Sequence, residues 1–255
     1  MITLNIIGSG NVAHHLIQEI LSHDDLYLQQ IYARNIKNLP NDIPESTNIC
    51  HDIKNLKPAD ITLISVSDSA ISEVSSALSF DNNLVVHTSG TTAMEMVNPK
   101  NRRGVFYPLQ TFSKHKKVDF TQIPICIEAE NENDLILVQQ LAKILSREVH
   151  FIDSEQRKAM HVAAVLVNNF TNHLCTIAED ICQKNQIPGK ILQPLLRETI
   201  DKLTNLSPME AQTGPAVRHD QKTIDTHIRF ITNELTKKIY QLLTQSIQEY
   251  HGREL

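Results

Sequence analysis

Two stretches of this 255-residue sequence carry residue types at spacings that can do chemistry. The first is Gly8-Ser9-Gly10-Asn11-Val12-Ala13, a Gly-x-Gly-x-x-Ala run. An apolar, strand-forming segment (residues 3–7) precedes it, and Val12, Leu16 and Ile20 follow at helical spacing. Strand, glycine loop and helix in that order form a dinucleotide fingerprint. The first glycine permits the tight turn and the second lets the backbone approach a pyrophosphate. The small third position lets helix and strand pack closely. The helix N-terminus adds free N–H groups and partial positive charge for phosphate.

The second stretch is residues 157–174, RKAMHVAAVLVNNFTNHL. At about 100° per residue, Lys158, His161, Asn168, Asn169 and Asn172 share a sector of roughly 100°. Asn is a modest helix former, so a stripe of three asks for a reason. A polar cleft facing a nicotinamide is one, and amides that fix helix packing are another. Imidazole titrates near neutrality, which suits His161 to give a proton to a substrate atom that gains charge. Lys158 is the competing donor, and Asn168 and Asn172 would orient the substrate. A third segment, residues 212–220 (QTGPAVRHD), offers Arg218 for a substrate carboxylate or serves as a helix connector. No two histidines stand at i,i+4, so no metal is expected.

The elements that must position these residues follow from periodicity. Residues 1–152 alternate strand and helix patterns, with strands expected at 25–34, 48–51, 59–66, 83–88, 104–107, 125–128 and 149–152. Helices are expected at 68–78 and 134–145. Residues 59–66 are nearly all apolar, as in a central parallel strand buried on both faces. Such alternation predicts an α/β doubly wound parallel sheet. From 153 to 255 the pattern is all-α, with helices expected at 154–184, 188–203 and within 220–250. The expectation is therefore a nucleotide-binding domain, 1–152, and a helical substrate and dimerisation domain, 153–255.

In an open parallel sheet the ligand crosses the carboxyl ends of the strands. That rule selects Ser65, Val66, Ser67 and Ala70 for the adenosine side, and Thr88, Ser89, Gly90 and Tyr107 for the nicotinamide side. An NAD site places an acid after the second strand, to bond the ribose hydroxyls. Here that position reads Ala33-Arg34-Asn35. Arg34 could pair with a 2′-phosphate, which favours NADP(H) over NAD. FAD and S-adenosylmethionine fit less well.

Composition narrows the partners. Hydrophobic content of 41% supports a packed core, and a net charge of −5 gives no basic surplus for nucleic acid or a membrane surface. A small-molecule partner is expected. The four cysteines show no CxxC pairing. Cys175 and Cys182 would lie about 10 Å apart along one helix, too far to bridge. Reduced thiols and no recognisable signal segment predict a cytoplasmic protein.

Several motifs together resemble one bacterial family: GSGNVA, the strand-end TSG (residues 88–90), YPLQTFSK (107–114), the run from Ser154 to Leu174, and QTGPAVRHD. Its members join a Rossmann-like N-terminal domain to a C-terminal domain of unknown function 2520 and carry the label NADP oxidoreductase. The N-terminal half is more distantly similar to pyrroline-5-carboxylate reductase and to the 6-phosphogluconate and 3-hydroxyisobutyrate dehydrogenases. The resemblance implies NADP binding, a helical second domain and a homodimer formed through it. Those dehydrogenases use a helical Lys with Asn four residues on. Here Val162 follows Lys158 at that spacing, so that pair does not carry over. The expected function is hydride transfer between NADPH and a small carbonyl or imine compound, one that could carry a carboxylate. The alternative is an NADP(H)-binding sensor or assembly protein without turnover.

Overall fold

The computed structural model describes residues 1–252, and the last three residues of the expected helical domain lie outside the described ones. The chain divides into two compact units, Met1–Asn168 and Asn169–Leu255.

The first unit is built on an eight-stranded sheet. Its strands are β1 (Ile2–Ile7), β2 (Leu26–Tyr32), β3 (Asn48–Cys50), β4 (Ile61–Ile64), β5 (Leu84–His87), β6 (Arg102–Pro108), β7 (Ile125–Ala129) and β8 (Val149–Phe151), in the order β3-β2-β1-β4-β5-β6-β7-β8. The first six strands are parallel and follow the doubly wound order, reversing direction of growth between β1 and β4. Alternate residues serve opposite faces, as the pleat requires. Leu4, Ile6, Leu63 and Val86 join one apolar cluster, while Ile7, Ile64 and Val85 join another. Helix α1 (Asn11–Leu21) packs on the first face through Ala13, Leu16, Ile17 and Ile20. Helix α2 (Ile71–Ser76) packs on the second through Ile71.

One feature departs from an all-parallel sheet. β7 runs antiparallel to β6, and β8 is parallel to β7. Residues 109–124 contain a single 3-10 turn, Phe120–Gln122, and no crossover helix. Without a crossover the chain returns beside β6 in the opposite direction. Helix α3 (Glu132–Leu145) then supplies the crossover from β7 to β8.

Helix α4 (Ser154–Ala164) ends the first unit. Asp153 is its N-cap, in a capping box with Gln156. A π-helical turn at Val165–Phe170 and α5 (Thr171–Lys184) continue the expected 154–184 helix. The sequence changes character at 152/153, yet the first unit runs on to Asn168 because side chains of α4 are anchored on β6, β7 and the loop after β5.

The second unit contains α5, α6 (Gln193–Leu203), α7 (Pro208–Ala211), α8 (Gln221–Phe230) and α9 (Glu234–Gly252). The short α7 lies between the helices expected at 188–203 and within 220–250, and starts on a Ser207–Glu210 capping box. His227 and Tyr240, 2.8 Å apart, tie α8 to α9. Among the described residues of this unit, the buried ones are Cys182, Ala216 and Ile224. No helix among the described residues is long and apolar enough to cross a membrane.

Candidate active site

A cavity of about 470 Å³ opens at the carboxyl ends of the strands, lined by Gly8, Ser9, Gly10, Arg34, Asn35, Val66, Ser67 and Ala70. It lies where β1 gives way to β4, the ligand crevice of such sheets. Gly8 has φ +136°. A Cβ there would stand 2.0 Å from the Ser65 carbonyl oxygen. Its N–H donates to the Tyr32 carbonyl at 2.8 Å, so Gly8 locks the ends of β1, β2 and β4 together. Gly10 differs. A Cβ on Gly10 would meet no atom within 4 Å, and Gly10 caps α1 without a side-chain bond. The first-turn N–H groups of α1 therefore face an open cradle suited to a pyrophosphate. The Asn11 side-chain NH2 donates to the Phe112 carbonyl at 2.9 Å. That bond and the His15–Ser113 contact hold the loop after β6 against α1.

Arg34 and Asn35 stand just past β2 on the cavity wall, with Tyr32, Glu73, Val74 and Ala77. Sequence reasoning missed these last four, which come from the strand end and from α2 and the residue after it. Apolar α2 positions spaced 3–4 apart were the signal for one wall of the cavity.

Further along the strand ends, Tyr107 and His161 meet. The phenol oxygen lies 3.1 Å from His161 Nδ1. Gly90 sits beneath both rings, where a Cβ would be 2.4 Å from Nδ1 and 2.9 Å from the phenol oxygen. The glycine of TSG thus makes room for a Tyr–His pair. Ser65, Thr88 and Ser89 shape this floor. Thr88 donates to the Ser65 hydroxyl, while Ser89 Oγ accepts the N–H groups of Thr91 and Thr92. Thr91 in turn donates to Asp68 at 2.6 Å, closing the loops after β4 and β5 on each other.

Under the pair lies a buried polar brace. Arg157, 1% exposed, bonds Glu128 on β7 at 2.6 Å and the Thr92 carbonyl at 2.6 Å. Ser154 donates to the same Glu128 carboxylate at 2.8 Å. His87, fully buried at the end of β5, accepts the Ser89 N–H on Nδ1. Burial, and then the Arg157 guanidinium, push its titration from 6.5 down to about 4. The folded state therefore keeps His87 neutral where the unfolded chain protonates it. This contribution to stability is complete above pH 6.5 and is lost as pH falls toward about 4. The loss amounts to about 3 kcal/mol. Urea unfolding across that window should show a steeper acid slope for the wild type than for His87→Asn; equal slopes would contradict it.

The other candidates are placed as follows. Lys158, one residue from buried Arg157, is exposed and pairs with Glu155 at 2.7 Å. Asn168 and Asn172 are exposed, on the π turn and α5. A π turn holds more residues than an α turn, so the 100° count that aligned them with His161 is interrupted at Val165. Arg218 is exposed in the second unit. Its neighbour Asp220 caps α8 by accepting the Thr223 N–H at 3.1 Å.

Fold and cradle together define a Rossmann-type dinucleotide-binding unit followed by a helical unit. Residues 123–247 match the domain of unknown function DUF2520. The chain is similar to the crystal structure of a "putative NADP oxidoreductase" from Bacteroides fragilis. The two are 35% identical over 97% of this chain and 98% of that one, with a TM-score of 0.86. The chain belongs to this DUF2520 family of Rossmann-like proteins. Two more distant structures share the fold. An imine reductase from Pseudomonas sp. is 13% identical over 98% of this chain and 94% of that one, with a TM-score of 0.68. Pyrroline carboxylate reductase from Plasmodium falciparum, solved with NADP bound, is 12% identical over 97% and 98%, with a TM-score of 0.59. No curated protein sequence matches the chain.

Proposed function

We propose that this protein is an NADPH-dependent reductase of a small carbonyl or imine compound. The observation that carries the reading is the cavity itself, whose lining includes both Arg34 and the glycine loop at the open N-terminus of α1. A cradle of free N–H groups and a cation in one cavity suit a pyrophosphate and a 2′-phosphate on one nucleotide. The family relative from Bacteroides fragilis, named as an NADP oxidoreductase, supports the same cofactor. When bound, NADPH supplies the hydride. Gly8, Ser9 and Gly10 hold the pyrophosphate, Arg34 and Asn35 the ribose phosphate, and Val66, Ser67 and Ala70 the adenosine side. Thr88, Ser89 and Gly90 floor the nicotinamide side. His161 protonates the substrate atom that gains charge as the hydride arrives. Lys158 is the competing proton donor, Asn168 and Asn172 are candidates for orienting the substrate, and Arg218 for binding a carboxylate.

The second unit points to a homodimer. Ile191, Leu195, Phe230, Leu235 and Leu242 are all more than half exposed, and the described residues of the unit include almost no buried apolar ones. Apolar helices without a core are stable when a second copy of the same surface covers them. The free cysteines fit a cytoplasmic setting.

Titration with both cofactors tests the reading. NADPH should bind more tightly than NADH, and Arg34→Ala should weaken NADPH binding about 10- to 100-fold, the worth of a charge-assisted phosphate contact, while leaving NADH unchanged. NADPH oxidation should follow with a member of an oxo-acid and cyclic-imine panel and vanish in His161→Ala with cofactor binding intact. Tighter NADH binding would remove the Arg34 argument. Tight NADPH binding with no turnover across the panel would favour a sensor.

A further inference from the structure

We infer that Tyr107 is the proton source of this site and that His161 relays the proton through its ring, taking it at Nδ1 and releasing it at Nε2. The inference rests on the reductase reading and adds the origin of the proton. Its geometry is local to the first unit. The phenol oxygen and Nδ1 are 3.1 Å apart, and Gly90 packs close beside Nδ1, so Nε2 on the other edge of the ring is the nitrogen left to meet a substrate.

The groups facing the phenol come from three elements: Cys126 on β7, Asp68 after β4 and Arg157 on α4. Burial raises the phenol's titration above its usual range, Cys126 and Asp68 add to this, and Arg157 opposes it. The phenol thus holds its proton through neutral pH. A neutral phenol donates to a lone pair, and Nδ1 is the acceptor within reach. The neutral imidazole must then carry its own proton on Nε2.

The step balances as follows. The substrate's carbonyl carbon takes the hydride, and charge builds on its oxygen. The Nε2–H bond breaks and that proton forms the product O–H. The Tyr107 O–H bond breaks, its proton forms the Nδ1–H bond, and the electron pair stays on the phenolate oxygen. Solvent then restores the phenol. An alkoxide is a far stronger base than a phenolate, so the transfer runs downhill without an imidazolium. A neutral histidine acting as the electrophile has precedent in enzyme chemistry.

The test reads the ring directly. Nitrogen NMR of the free protein, with the His161 signals identified by their loss in His161→Asn, should find the neutral ring protonated on Nε2. Nδ1 should show the shift of a hydrogen-bonded acceptor. Tyr107→Phe should move Nδ1 to the value of a free acceptor. A neutral ring protonated on Nδ1, or an Nδ1 shift unchanged in Tyr107→Phe, would overturn the inference. This readout needs neither cofactor nor substrate, so its failure is separate from failure of the reductase reading. With a substrate from the panel, Tyr107→Phe should lower kcat about 100-fold with KM unchanged. Wild-type activity should then hold as pH rises through the imidazole range and fall only as phenols ionise, near or above about pH 10; a loss as pH rises through the imidazole range would count against the relay.

Discussion

Gly8→Ala should cost about 3–5 kcal/mol of stability and abolish NADPH binding, whereas Gly10→Ala should leave the fold intact. The two glycines stand two residues apart in one motif, yet different atoms demand them. At Gly8 the backbone has φ +136°, and a Cβ would sit 2.0 Å from the Ser65 carbonyl oxygen. The clash is with backbone, and Gly8 and Ser65 follow the ends of adjacent strands. The Ser65 N–H also donates to the Ile7 carbonyl at 2.8 Å, so separating the strands breaks a ladder bond. At Gly10 a Cβ would meet nothing, so the stability change should stay within about 0.5 kcal/mol. The methyl would instead project into the space a pyrophosphate needs, and NADPH affinity should drop at least about tenfold. Urea unfolding and NADPH titration of both variants separate the effects. Equal stability losses at the two sites would show that the loop is a structural turn rather than a cradle.

Arg157→Met should destabilise the protein by about 3–5 kcal/mol, although the residue stands beside a lysine whose loss should matter little. Arg157 is among the largest fully buried side chains of the described residues, and it neutralises Glu128, which is itself largely buried. Removing the guanidinium leaves that carboxylate with the Ser154 hydroxyl and backbone N–H and strips the Thr92 carbonyl of its side-chain donor. A buried charge without its partner is costly, while an apolar replacement of both partners is often close to neutral. The double variant Arg157→Met with Glu128→Leu should therefore recover much of the loss. A single variant as stable as the wild type would mean that the pair does not anchor α4. The brace also places the chemistry, since His161 lies one turn further along the same helix. NADPH oxidation should fall in Arg157→Met even under conditions where the variant stays folded.

The dinucleotide half was readable because its signals are local. A strand reads as an apolar run, the turn as Gly-x-Gly, and α1 as apolar positions 3–4 apart. Gly8, Arg34, Val66, Ser67 and Ala70 line one cavity because strand ends in a parallel sheet converge by topology. The reversal of β7 was less accessible, since a loop's lack of a crossover helix says nothing about direction until the strand has paired. The π turn at Val165–Phe170 was also hidden, because regular helical counting assumes a constant angle.

What the sequence determined by itself was the order of elements, the glycine turn that needs no side chain, and the cation after β2. Each depends on neighbours a few residues away. What the tertiary structure decided was pairing. Tyr107 and His161 are 54 residues apart in the chain and share a hydrogen bond over Gly90. Arg157 and Lys158 are adjacent in sequence, yet one is buried on Glu128 and the other is exposed beside Glu155. Charge and spacing are the same for both, and the face of α4 that packs on the sheet separates them.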